Sequence, residues 1–217
     1  MEKNKILNMD CLDFMRKCPD NYFDLCCCDP PYGIGESAGK NKTRTGGLAA
    51  AKDYGNKDWD NAIPQKEYFE QILRVSKNQI IFGGNYFIEH LTNSPCWIVW
   101  DKNNGSNDFA DCELAWTSFK SAVRKYKWTW NGMLQENMKN KEIREHPTQK
   151  PVGLFQQILS DYSKEGELIL DCFSGSGTTA IACHNLNRNF ICIEKDYDYW
   201  KASVERLDNA QAQCKLF

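Results

Sequence analysis

LILDCFSGSGTTAIACHNLNRNFICIEKD, residues 168–196, is the stretch whose reading decides the fold. Leu168–Cys172 is a short apolar run that carries an acid, Asp171, near its end. Phe173–Gly177 is a glycine turn, and Thr178–Leu186 has the composition of a helix. Phe190–Glu194 is a second apolar run, also ending in an acid, 19 residues after Gly175. Strand, tight turn, helix, strand is a βαβ unit. Its glycines let a ligand approach the backbone, and an acid at the end of the second strand accepts hydrogen bonds from ribose hydroxyls. The GxGxxA spacing (Gly175, Gly177, Ala180) alone also fits a hydride cofactor or a ligand-free turn.

Outward from this unit, strands and helices alternate. Strands are expected at Lys5–Asn8, Phe23–Cys28, Gln79–Phe82, Trp97–Trp100 and Glu113–Thr117. Helices are expected at Cys11–Lys17, Gln65–Val75, Tyr86–Leu91, Leu154–Tyr162 and Tyr197–Ala210, and Arg124–Trp130 reads as an extended segment or hairpin. The apolar runs are nearly continuous, as in strands buried on both faces. The fold class is therefore α/β: one domain over 1–217, with a mostly parallel mixed sheet flanked by helices. Residues 33–61 are polar and rich in Gly, Lys and Asn, and read as a mobile loop.

Composition narrows the function classes. With 217 residues, 41% hydrophobic and 26% charged, the chain has enough material for one well-cored domain. The formal net charge of −2 excludes whole-molecule attraction to a polyanion, so nucleic acid would have to meet local patches. The eleven cysteines include no CxxC pair and no Cys/His cluster with zinc spacing. They read as small buried hydrophobes in a reduced, intracellular protein without a metal. The polar opening MEKNKILNMD is unlike a secretion signal, and no apolar run reaches membrane-spanning length, so a cytoplasmic location is expected.

The second informative stretch is CCCDPPYGIGE, residues 26–36. Pro30 and Pro31 donate no backbone hydrogen bond and fix φ, so the strand stops and its end is held stiffly. A carboxylate, Asp29, and an aromatic ring, Tyr32, then stand at the carboxyl end of a buried strand, the edge where open α/β sheets bind ligands.

Asp29-Pro30-Pro31-Tyr32, followed downstream by Asp171–Gly177, resembles the amino-methylating DNA methyltransferases, the N6-adenine/N4-cytosine group. Phe173 and Ser174 ahead of the glycines are similar to that family's FxGxG turn for S-adenosylmethionine. The order, catalytic motif first and cofactor motif second, resembles the circularly permuted β class, with a Rossmann-like methyltransferase domain. Asn8-Met9-Asp10-Cys11 resembles its opening turn, with Met where Gly is usual. His146–Pro151 (HPTQKP) resembles the segment holding the methionine end of the cofactor, and Glu113–Thr117 a late strand of the sheet.

The resemblance implies S-adenosylmethionine as cofactor. Its candidate contacts are Asp10, Cys11, Asp29, Thr148, Lys150, Asp171, Phe173, Ser174, Gly175, Gly177, Thr178, Thr179 and Glu194, with residues 146–196 as the cofactor-binding half. Asp10 competes with a plainer role as a helix cap, and His146 with that of a loop residue. The resemblance makes Asp29, Pro30, Pro31 and Tyr32 catalytic. Asp29 and the Pro30 carbonyl would each accept an amino proton, and Tyr32 would stack on a base taken out of duplex DNA. Asp at the first motif position favours adenine N6 over cytosine N4. An inert methyltransferase-like DNA-binding subunit is a rival, and a nicotinamide oxidoreductase has no use for Asp29–Tyr32.

DNA is expected on two basic stretches. Residues 118–150 hold eight basic residues against three acids, a net of +5, with Tyr126, Trp128 and Trp130 interleaved. Within them 118–145 reads as the target-recognition insertion, with Arg124, Lys125 and Lys127 as phosphate contacts. Trp128 and Trp130 are also natural core residues. Lys40, Lys42 and Arg44 in the loop after the catalytic tip form the second group. The insertion is short, which calls for a short target site or a second copy of the chain.

Overall fold

The computed structural model describes residues 1–35, 59–105, 110–131 and 134–214. Eight strands form one sheet in the order β1-β10-β9-β2-β3-β5-β4-β6. They are β1 (Lys5–Asn8), β2 (Phe23–Cys28), β3 (Ser76–Phe82), β4 (Trp97–Asp101), β5 (Cys112–Thr117), β6 (Arg124–Lys127), β9 (Leu168–Asp171) and β10 (Asn189–Glu194). Only β5 runs against its neighbours β3 and β4; every other pairing is parallel. A separate two-stranded ribbon joins β7 (Trp130–Asn131) to β8 (Leu134–Gln135).

Side chains alternate across the sheet, as the period of two requires. Cys26 and Cys28 of β2 pack with α1 (Cys11–Met15) and α2 (Lys66–Val75) on one face, joined by Phe23 at the start of the strand, where the alternation has not yet set in. Leu25 and Cys27 pack on the other, with α3 (Val152–Tyr162), α4 (Thr178–Asn185) and residues of α5 (Tyr197–Cys214). Both faces are covered, so the central strands need no polar side. Helix α4 lies under α3 and α5, and its run from Thr178 to Cys183 is buried all round. Trp100 and Trp116 are buried in the sheet, and their indole N–H groups donate to the carbonyls of Trp128 (3.0 Å) and Thr92 (2.8 Å). Burying an aromatic side chain of this kind stabilises by about 2–3 kcal/mol once its polar atom is paired.

Some elements differ from expectation. Tyr86–Leu91 is not an α-helix but part of two short 3-10 turns, Gly84–Tyr86 and Ile88–His90. The preceding Gly83 is left-handed and Leu91 is extended, which leaves too few residues for an α-helical nucleus. Helix α1 stops at Met15 and β9 at Asp171, each short of its expected end. Arg124–Trp130 is not one strand: β6 is a parallel edge strand, and Trp130 leaves it for the β7–β8 ribbon. Trp130 is buried and Trp128 packs against the core beside Gly153, so both tryptophans are core residues. Nine of the ten cysteines whose side chains are described are buried, and Cys112 is exposed.

The topology places the site. From β2 the chain crosses through α2 to β3 in one direction, and from β9 through α4 to β10 in the other. The carboxyl ends of β2 and β9 thus flank a switch point, the position where open α/β sheets hold ligands.

Candidate active site

A cavity of about 610 Å3 opens at this switch point. It is lined by Asp10 and Cys11 after β1, Asp29–Tyr32 after β2, Asp171–Ser176 after β9 and Glu194 at the end of β10. Trp59, Tyr68, His146, Thr148 and Lys150 complete the wall. The structure thus gathers the expected cofactor contacts, Gly177 excepted, and all four expected catalytic residues at one edge; Gly177 instead sets the turn into α4.

The glycine turn is built on backbone. Gly177 has φ +76°, and a Cβ there would meet Ser203 at 3.1 Å, so both conformation and space call for glycine. Asp171 accepts from the Phe173 N–H (3.0 Å) and from the Thr179 hydroxyl (2.5 Å), clasping the turn to α4. Burial pushes its carboxyl up to about 7 against those two bonds. Asp171 and Thr179 therefore spend their polar atoms on each other and on the turn. Thr178 donates to the Lys150 carbonyl (2.9 Å), joining the turn to the 146–151 segment.

Glu194 accepts from the N–H groups of Gly175 (2.8 Å) and Asp196 (2.8 Å), and burial pushes it up to about 7 despite them. Asp10 is a helix cap that also lines the cavity. It caps α1 through Leu12 N–H (2.8 Å), and it faces the cavity with Tyr68 and Lys195 on its oxygens. Burial opposes ionisation of Asp10, yet Lys195 and the Leu12 N–H hold it below its ordinary value. His146 lies in a loop, with its buried ring between Trp59 (4.9 Å) and Tyr199 (4.2 Å), next to Gly175. Its Nδ1 is 3.1 Å from the Thr148 hydroxyl.

The tip after β2 is built on side chains. Asp29 Oδ1 accepts from the Tyr32 hydroxyl (2.6 Å), and Oδ2 is paired with Lys150 Nζ (2.5 Å). Lys150 also reaches Glu113 (3.1 Å), and Glu113 reaches Lys102 (2.5 Å). Burial pushes Asp29 up, Lys150 pulls it down and Glu113 pushes it further up, for a net rise. The Tyr32 ring stacks on Tyr86 at 4.8 Å and 14°, so the aromatic wall is a pair and not one ring. Gly83 lies so close that a Cβ there would stand 2.1 Å from the Tyr32 ring.

Lys150, read from sequence as a cofactor contact, here pairs with Asp29. Glu113, Lys102, Tyr86, Trp59 and Tyr68 were not singled out by sequence reasoning. Only the position of Glu113 at the start of a sheet strand, level with the tip, could have found any of them.

Two hydrogen bonds tie the residues on either side of 36–58 together. The Gly33 N–H donates to the Asp60 carboxylate (2.8 Å), and the Gly35 N–H to its carbonyl (3.0 Å). Lys40, Lys42 and Arg44 lie outside the described residues. Arg124, Lys125 and Lys127 are exposed on edge strand β6, with Lys125 paired to Asp101 (3.2 Å). Among the described residues no group of His, Cys, Asp and Glu is arranged to hold a metal, and no helix is long and apolar enough to cross a membrane.

A DNA methylase family model matches residues 100–205. The type II methyltransferase M.HpaI of Haemophilus parainfluenzae is 28% identical over 94% of this chain and 74% of its own length. M2.DpnII of Streptococcus pneumoniae is 26% identical over 95% of this chain and 91% of its own. These matches make the chain similar to the amino-methylating DNA methyltransferases. Solved structures share the fold. The M1.HpyAVI–SAM complex matches with TM-score 0.56 and 24% identity, over 94% of this chain and 99% of that one. The cytosine-N4-specific PvuII DNA methyltransferase matches with TM-score 0.60 and 14% identity, over 98% and 93%. The matching family model and the curated relatives agree on a DNA methylase, and the solved structures on its fold.

Proposed function

We propose that this methyltransferase modifies the N6 amino group of adenine in double-stranded DNA, on a base turned out of the helix. The observation that carries the reading is the Asp29-Pro30-Pro31-Tyr32 tip standing at the switch-point cavity beside the glycine turn.

The cavity residues fit the cofactor. Glu194 is a carboxylate acceptor at the end of the second strand of the βαβ unit, where ribose hydroxyls are held. Asp10 stands at the adenine end and Thr148 toward the methionine end. The Trp59 indole N–H is buried in the wall and has no partner among the described residues, which suits it to a ligand rich in acceptors. When bound, S-adenosylmethionine supplies an electrophilic sulfonium methyl.

The chain's own residues prepare the amine. Adenine's exocyclic nitrogen is a poor nucleophile because its lone pair is delocalised into the ring. Asp29 accepts a hydrogen bond from one N–H and the Pro30 carbonyl from the other, which favours a pyramidal nitrogen. Without a base, the Tyr32 hydroxyl occupies Oδ1 of Asp29, and the amine takes over that oxygen. The Tyr32–Tyr86 pair supplies the apolar wall for the base. The rate gain comes from positioning and from fixed charges in a site shielded from water.

Incubation with mixed-sequence duplex DNA and labelled S-adenosylmethionine, followed by nucleoside mass spectrometry, tests this beside an Asp29→Ala control. N6-methyladenine from the wild type alone is the expected result. N4-methylcytosine would keep the mechanism and overturn the base. No methylation with cofactor still bound would overturn the activity on duplex DNA.

A further inference from the structure

The tip holds a buried charge network that the motif alone does not require. Lys150 is only 7% exposed, and its ammonium lies between two carboxylates, Asp29 Oδ2 at 2.5 Å and Glu113 Oε2 at 3.1 Å. Its third direction is toward the Tyr32 hydroxyl at 3.5 Å. An ammonium has three N–H groups, so the donors of Lys150 are spent inside the protein. Glu113 in turn gives its other oxygen to Lys102 at 2.5 Å. The four groups alternate in sign, sum to zero and come from four separate parts of the chain. These are the loop after β2, the residue after β4, the start of β5 and the segment before α3.

We propose that Lys150 and Glu113 are positioning residues for methyl transfer: Lys150 clamps one oxygen of Asp29, and Glu113 holds Lys150 and shares its charge. This deepens the proposed function and rests on Asp29 as the acceptor of the substrate amine. Burial alone would favour a neutral carboxylic acid, which cannot accept both an amine hydrogen bond and its proton. Lys150 keeps Asp29 ionised. If Lys150 belonged to Asp29 alone, it would also make that carboxylate a weak acceptor. Glu113 divides the attraction, and Lys102 keeps Glu113 ionised while it does so. The directions agree: Glu113 is held below its ordinary value against burial, and Asp29 stands above its own. The clamp is also fixed in space, because the Lys150 carbonyl accepts from Thr178 at the start of α4. The catalytic acid is thereby referenced to the cofactor turn.

The charged and titratable groups bearing on Asp29 include Tyr32 on its own segment, Cys27 on β2, Lys150, Glu113 on β5 and Asp171 on β9. Removing Glu113 takes away a like charge, so the Asp29 midpoint moves down in pH. Removing Lys150 takes away an opposite charge, so it moves up.

The test uses Lys150→Met, Lys150→Arg and Glu113→Gln in the full chain. Turnover, S-adenosylmethionine affinity by calorimetry, and an Asp carboxyl 13C titration assigned with Asp29→Asn are measured. Lys150→Met is expected to lower kcat about 100-fold, as misplacing a reacting group does. Cofactor affinity should stay within about twofold, and Lys150→Arg should restore part of the rate. Glu113→Gln is expected to lower kcat about tenfold and move the acid limb of the rate profile to lower pH. The proposal is overturned if Lys150→Met weakens cofactor binding about tenfold or more while kcat at saturation is kept. Lys150 would then be a cofactor contact. It is also overturned if the Asp29 midpoint is the same in the wild type, Lys150→Met and Glu113→Gln. A wild type that methylates no DNA would remove the underlying function. The carboxyl titration needs no substrate and would still separate a clamped Asp29 from an unclamped one.

Discussion

The acids that end β9 and β10 are held by N–H groups of the turns beside them. The acid that follows β2 is held by side chains from distant parts of the chain. Asp171 and Glu194 accept from residues 173, 175 and 196, with Thr179 the one side chain involved. Asp29 is gripped by Tyr32 and Lys150, and through Lys150 by Glu113 and Lys102. Both designs keep a carboxylate in a buried site. N–H groups of a tight turn solvate a charge without adding one, which suits a rigid hydroxyl-binding ledge. A lysine adds a full charge that neighbours can divide, which suits an acid whose basicity matters to the reaction.

Four variants break or sharpen this contrast. Asp29→Ala removes the acceptor at the side-chain-built end. It should lower kcat about 1000-fold or more while calorimetric cofactor affinity changes only a fewfold, because the ledge is untouched. Gly83→Ala forces a methyl group into the Tyr32 ring at a residue whose φ is +67°. A loss of about 1–3 kcal/mol in chemical denaturation and a kcat lower by about 100-fold are expected.

Glu194→Gln should weaken S-adenosylmethionine about tenfold with kcat at saturation little changed. In the wild type the Glu194 carboxyl stands near 7. Its ionised form is the better acceptor for ribose hydroxyls, so affinity should strengthen as pH rises from 6 to 8, then level off. Smallest of all, replacing Arg124, Lys125 and Lys127 by Ala should weaken DNA binding severalfold, independently of sequence. The slope of log affinity against log salt should drop by about 2 and not 3, since Lys125 is already paired with Asp101.

The same contrast explains what could be read from residues alone. Strand, turn and helix of the 168–196 unit are consecutive, so apolar runs, glycines and acid spacing mark the ledge directly. The alternating strands also announced the sheet. Asp29 stood out because two prolines follow it. Its partners at 102, 113 and 150 are brought together only by sheet order and by the antiparallel β5, which no local pattern encodes. Lys150 stands in a motif that points to the cofactor, but its pairing with Asp29 is not legible there, because a motif names a residue without saying which neighbouring groups its ammonium will reach. The two 3-10 turns after Gly83 were missed because their apolar spacing mimics one helical turn.

The paired bonds from Gly33 and Gly35 to Asp60 have a consequence for engineering. They hold Gly33 and Gly35 within one residue's reach of Asp60, so a single acid sets the spacing of these two flanks. A variant that exchanges residues 36–58 should therefore keep Asp60, the residue that pins both flanks beside the Asp29 clamp.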